Sequence, residues 1–263
     1  KESSAASDVY KRQYEGDASF LQGPTERTKA VWNHCLKALE EERNNNGIRA
    51  LDYTTVSTIT SHPAGYIDKE NELIVGLQTD QVLKRAIKPF GGINVVMKAC
   101  RENGVEVDDR VKDIFTHYRK THNDGVFDVY TEEIRSFRSL GFLTGLPDNY
   151  ARGRIIGDYR RLALYGLDRL IEAKKEDLHN LTGPMTEARI RLREEVAEQI
   201  KALKEIKVLG EYYGLDLSRP AYTAQEAVQW VYMAYLAAVK EQDGAAMSLG
   251  NVCLLYTSPS PRD

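Results

Sequence analysis

The stretch Gly141–Arg161 reads GFLTGLPDNYARGRIIGDYRR and gathers Arg152, Arg154, Arg160 and Arg161 among Gly141, Gly145, Gly153 and Gly157, with Gly166 just beyond. A guanidinium is a planar, permanently charged fork that grips a carboxylate or phosphate through two parallel hydrogen bonds. Glycines allow close backbone approach, and a helix N-terminus adds partial positive charge. These residues at this spacing describe an anion-binding corner, most simply for a small carboxylate. A second reading stands beside it: the arginines pair with Asp148 and Asp158 and hold a turn.

Other reactive side chains form no such cluster. His117 and His122 are five residues apart, poorly placed for one helix face, and no cysteine or carboxylate pattern completes a metal site. His34, beside Cys35, reads as core, and His179 as solvent-facing. Cys35 and Cys100 form no CxxC pattern and read as small buried hydrophobes in a reducing setting.

Longer runs carry a family signal. They are YEGDASFL from Tyr14, STITSHPAGYID from Ser57, IVGLQTD from Ile74, KPFGGI from Lys88, YRKTHNDGVFDVYT from Tyr118, and AQEAVQWVYMAYLAAVKEQDGAAMSLGN from Ala224. In this order, and from Tyr14 to Val252, the chain resembles the pyruvate formate-lyase (formate C-acetyltransferase) family of glycyl-radical enzymes. The resemblance implies a helix-rich α/β fold, the N-terminal part of a ten-stranded barrel of two parallel half-barrels, incomplete in this chain. It implies a cytoplasmic enzyme that makes acetyl-CoA and formate from pyruvate and coenzyme A. In the family, a glycyl radical near the C-terminus passes to one cysteine of a Cys-Cys pair, and acetyl rests on cysteine before reaching coenzyme A. Neither that pair nor the glycyl loop occurs here, so the chain alone is expected to be inactive. The resemblance also implies a radical-SAM activating enzyme and a homodimer for the full-length protein, with no permanently bound cofactor, no metal, no nucleic acid and no membrane.

On the same resemblance, Arg154 of the ARGR stretch clamps the pyruvate carboxylate, while Arg152, Arg160 and Arg161 pair with acidic neighbours. A carboxylate leaving water needs such a charge-assisted partner. Phe127, His62 and Arg138 match positions around coenzyme A, at a surface site where Phe127 would stack on adenine. Ordinary packing is the other reading of Phe127. The family can carry lysine after the arginine, where this chain has Ser139. A sibling enzyme acting on 2-ketobutyrate is a close rival. A diol or choline offers the arginine no carboxylate, and a non-catalytic helical domain that binds an anion or a partner is the rival of another class.

The elements that position these residues are mostly helical. Thr28 to Asn44 is amphipathic, with Val31, Trp32, Cys35, Leu36 and Leu39 on one face, and NNNG ends it. Val107, Val111, Ile114, Phe115 and Tyr118 form another stripe. Thr186 is expected to cap a long helix to about Tyr213 that buries Ile190, Val196, Ile200, Leu203 and Ile206, with Gly214 ending it. Thr223 and Glu226 form a capping box for a last apolar helix through Lys240. Tyr53 to Thr60 is the best strand, and Glu172 to Asp177 reads as solvated helix surface.

The two ends carry a different signature. DVYKRQ, Asp8 to Gln13, can be encoded by GAT GTG TAT AAG AGA CAG, and the reverse complement read one base in gives Cys-Leu-Leu-Tyr-Thr-Ser, which is Cys253 to Ser258. Both resemble a translated adapter of a transposon-based sequencing library. Residues 1–13 and 253–263 are therefore expected to be foreign and disordered, leaving 14–252 as the natural segment. The whole chain carries a net charge of −3; the first thirteen residues contribute +1 (Lys1, Lys11 and Arg12 against Glu2 and Asp8) and the last eleven zero, which leaves −4. That balance speaks against a general nucleic-acid binder. No apolar run approaches the ~18 residues of a membrane span.

Overall fold

The computed structural model describes residues 23–45, 50–87, 93–118, 130–143 and 157–241, except the side chains of residues 95, 117 and 118. Helix α1, Glu26–Asn44, starts two residues before the expected Thr28 because Thr25 caps it: its hydroxyl accepts the Thr28 N–H at 3.2 Å. Val31 and Cys35 are half-buried and Ala38 is buried, yet Trp32, Leu36 and Leu39 stay exposed at 64%, 47% and 55%. Three of the five residues of the expected stripe are thus exposed. His34 lies on the exposed side of α1, not in the core as the sequence suggested.

Strands β1, Ala50–Val56, and β2, Lys84–Ile87, pair in parallel, with Ala50 opposite Lys84 and Val56 opposite Ile87. The strand expected over Tyr53–Thr60 thus begins and ends earlier. After Ser57 the chain turns, with the Ser61 N–H on the Thr58 carbonyl at 3.2 Å. Helix α2, Ile93–Glu102, and α3, Asp109–Asp113, cover the pair, and α3 runs on into a π-helical turn, Ile114–Tyr118. Val56, Ile87, Cys100, Val107, Val111 and Phe115 form this smaller core, so Cys100 is the buried hydrophobe expected. Helix α4 is Glu132–Ser139, capped by Thr131.

The larger core lies between α5, Arg160–Asn180, α6, Glu187–Tyr212, and α7, Ala224–Glu241. Leu162, Leu167, Val196, Ile200, Trp230 and Met233 are its centre. Thr186 caps α6 as expected, accepting the Arg189 N–H, and Gly214 follows its end at φ 68°. Ile190, expected inside, is 45% exposed near the start of α6. At α7, Thr223 accepts the Glu226 N–H at 3.1 Å, but Glu226 reaches back to the Tyr222 N–H and the Arg219 guanidinium, so the reciprocal half of the capping box is shifted.

Gly166 breaks α5. Its φ of 71° and ψ of 163° are not helical, and the freed Leu167 and Asp168 N–H groups donate to the Leu217 and Ser218 carbonyls. The Ala221 N–H returns to the Ala163 carbonyl, so three backbone bonds hold the 217–221 segment against the kink, and Leu217 packs into the same core. A Cβ on Gly166 would stand 2.4 Å from the Arg219 carbonyl carbon and 2.5 Å from the Ser218 oxygen. This glycine, read from sequence as part of a ligand-binding block, serves helix–loop packing. Gly166→Ala is expected to cost about 3 kcal/mol or more, whereas Gly214→Ala, with open space around it, costs about 1 kcal/mol. Chemical denaturation of the two variants checks the difference, and equal losses would contradict the packing account.

Candidate functional site

Parallel strands need a long crossover, usually a helix. Here residues 57–83 cross without one, so their backbone donors and acceptors need other partners. Side chains of α6 and α7 supply them. Gln229, buried on α7, accepts the Val75 N–H at 2.7 Å and donates to the Val75 carbonyl at 2.8 Å. The Tyr213 hydroxyl, at the end of α6, accepts from Gly65 at 3.0 Å and Leu77 at 3.2 Å, and Tyr232 donates to the Gly76 carbonyl. The Ser57 hydroxyl donates to the Lys240 carbonyl at 2.8 Å, and Glu241 accepts the Ile59 N–H.

This anchoring gathers charged groups around His62, which is only 3% exposed. Its Nδ1 lies 2.8 Å from the Ser61 hydroxyl, and its Nε2 lies 3.5 Å from Asp52 Oδ2 without a hydrogen-bond partner. Asp52 Oδ1 accepts from the Thr54 N–H, the Thr54 hydroxyl and the Thr55 N–H at 3.0–3.1 Å. Burial raises the Asp52 carboxyl, but these bonds outweigh it and bring it down to about 2. Lys84 stands 3.5 Å from Asp52 Oδ2 and donates to Asp80 at 2.8 Å. That bond raises the Lys84 ammonium and lowers the Asp80 carboxyl.

Lys240 completes the cluster. It is 1% exposed, makes no ion pair among the described residues, and burial pushes its ammonium down to about 8. His62 is lowered as well, first by burial and then by Lys240, with Lys84 adding to this and Asp80 and Asp52 opposing it. Asp52, Lys84 and Lys240 escaped the sequence reading; the signal present was a lysine ending an otherwise apolar helix face.

The sequence-expected site residues are only partly placed. Arg154 and Phe127 lie outside the described residues, as do Arg152, Asp148 and His122. His62 is buried, not on an open surface as expected for a coenzyme contact. Arg138, on α4, lies over the Tyr130 ring at 5.7 Å and is not among the contacts of His62. In the arginine block, Arg160 spends its fork on Asp158, with bonds of 2.7 and 3.2 Å, so the turn-holding reading holds for that arginine. A cavity of about 1140 Å³ opens beside the cluster, lined by Thr58, Ser61, Arg110, Glu198 and Glu241 among others. Among the described residues no cluster of His, Cys, Asp or Glu could hold a metal, and no helix is long and apolar enough to cross a membrane.

Comparison with known proteins adds three findings. The sequence model of a family described as pyruvate formate lyase-like matches residues 5–255. A formate acetyltransferase of Haemophilus influenzae is 56% identical over 255 residues, taking in 95% of this chain and 33% of that protein. The glycerol-bound form of the B12-independent glycerol dehydratase from Clostridium butyricum superposes with a TM-score of 0.53 at 16% identity, over 89% of this chain and 36% of that one. The chain thus spans about a third of the length of the relatives it matches. The structural likeness is one of fold, and it agrees with the helix-rich α/β barrel segment expected from the sequence.

The buried ammonium makes stability depend on pH. Unfolded Lys240 holds its proton up to the ordinary lysine value of 10.5 and folded Lys240 only to about 8, so stability rises with pH between those limits. The gain is about 3 kcal/mol. Lys240→Met is expected to flatten that rise, measured as unfolding free energy at pH 7.5 and 10; an unchanged slope would refute the assignment.

Proposed function

This chain belongs to the pyruvate formate lyase-like family, and on that premise we propose that it is part of a formate C-acetyltransferase. Pyruvate and coenzyme A would yield acetyl-CoA and formate, the pyruvate C1–C2 bond breaking and a thioester forming. The 56% identity with a formate acetyltransferase carries the reading. Radical chemistry belongs to the remainder of the protein: the cysteines here are Cys35, Cys100 and Cys253, and none has a cysteine neighbour. The intact protein is a cytoplasmic homodimer activated by a radical-SAM enzyme, and this chain alone is inert. Residues 14–252 are the natural segment; the inverted relation of Asp8–Gln13 to Cys253–Ser258 supports that boundary, although the family match overlaps both stretches.

The role of this chain in such an enzyme is recognition. Arg154 binds the substrate carboxylate, and the fork of Arg160 is already committed to Asp158. Phe127, His62 and Arg138 bind coenzyme A.

Three measurements test this. The intact, activated enzyme should release formate and acetyl-CoA from pyruvate and coenzyme A, and the 263-residue chain should release neither; a stop codon close after Val252 in the source gene would end the enzyme reading. Arg154→Lys in the intact enzyme is expected to raise the pyruvate KM roughly ten- to a hundredfold, because lysine cannot form the bidentate pair. An unchanged KM sinks the clamp.

A further inference from the structure

Counting hydrogens around His62 separates its two neutral tautomers. The Ser61 hydroxyl accepts the Thr58 N–H at 3.1 Å and has one proton to give, either to the Thr58 carbonyl at 3.0 Å or to His62 Nδ1 at 2.8 Å. The Thr58 carbonyl already takes the Ser61 N–H at 3.2 Å, so it is not orphaned when the hydroxyl turns to the ring. The opposite choice puts the ring proton on Nδ1 and aims the Nε2 lone pair at the Asp52 carboxylate, 3.5 Å away in a buried site. Two acceptors facing each other out of water repel.

We infer that Asp52 and Ser61 are positioning residues for His62, holding a neutral imidazole with its proton on Nε2 toward Asp52 and with Nδ1 accepting from the Ser61 hydroxyl. At 3.5 Å the Asp52 contact is longer than a full hydrogen bond and acts through charge and dipole. Asp52 is itself rigid, since its other oxygen takes three donors from Thr54 and Thr55. Lys84 sits on the same Oδ2 and is tied to Asp80. The charged groups whose fields act on the ring are thus Asp52 on β1, in contact at 3.5 Å, Asp80 before β2, Lys84 on β2 and Lys240 on α7. A neutral ring adds no third cation to Lys84 and Lys240. The consequence for coenzyme A rests on the reading of His62 given above; the tautomer does not.

Asp52→Asn separates the two levels. Asn Oδ1 can still accept the three Thr donors, while its Nδ2 replaces the oxygen that faces the ring with a donor. In intact, 15N-histidine-labelled enzyme, with His62 assigned by His62→Gln, the wild type should show Nε2 protonated and Nδ1 unprotonated. Asp52→Asn should switch the proton to Nδ1 and move the ring's titration to lower pH. Lys84→Gln should keep the Nε2 proton and move the titration to higher pH, a sign reversal that general loosening would not give. The coenzyme A KM should rise about tenfold in Asp52→Asn with the pyruvate KM unchanged, and Asp52→Glu should recover part of the loss. A wild-type Nδ1 proton, or the same tautomer in Asp52→Asn, overturns the positioning roles. The inferred tautomers with an unchanged coenzyme A KM in His62→Gln would instead support those roles and overturn the coenzyme contact.

Discussion

A crossover between parallel strands that is not a helix must satisfy its backbone from outside, and residues 57–83 depend on side chains of α6 and α7 for this. Each buried donor or acceptor left unpaired would cost about 1–3 kcal/mol. Gln229 acts here as a surrogate strand neighbour for Val75, and Tyr213 closes two loop turns with one hydroxyl. The strand pair, its connection and the three-helix layer are therefore one piece of structure. His62 sits where it does because Ser57 and Ile59 are tied to the end of α7.

The charges around that histidine are balanced by composition. Two carboxylates, Asp52 and Asp80, oppose two ammonium groups, Lys84 and Lys240. Three of the four are held by short bonds or ion contacts, while Lys240 depends on its surroundings. A buried set of this kind is stable only while every member stays in place. The same feature that makes the cluster costly makes it geometrically exact enough to orient a ring.

Local rules were legible in the sequence where they act over one or two turns. The Thr186 cap, the Gly214 stop and the apolar stripe through Val111 and Phe115 all stand in the structure. The start of α1 lies earlier than the apolar period indicates because the Thr25 cap precedes the first apolar residue, and β1 lies earlier than Tyr53–Thr60 because the Thr58–Ser61 turn resembles a β-branched strand in composition. Ile190 and the Trp32 face kept the pattern of buried residues without the cover. The cluster of Asp52, His62, Lys84 and Lys240 was not legible at all, since it joins segments far apart in the chain and no spacing rule connects them. The place of Gly166 beside the arginine block suggests a ligand, but its partner is the 217–221 backbone, which periodicity cannot reveal.

The Val75–Gln229 pairing also sets an order of events during synthesis. The two residues are 154 positions apart. At ribosomal rates of about 5–20 residues per second, the crossover would wait on the order of ten seconds or more for α7 to be made. Through that interval its amides can bond only to water or to whatever lies nearby, so the strand pair cannot finish folding in the order in which it is written. The nascent chain must carry an open connection until its own later helix arrives to close it.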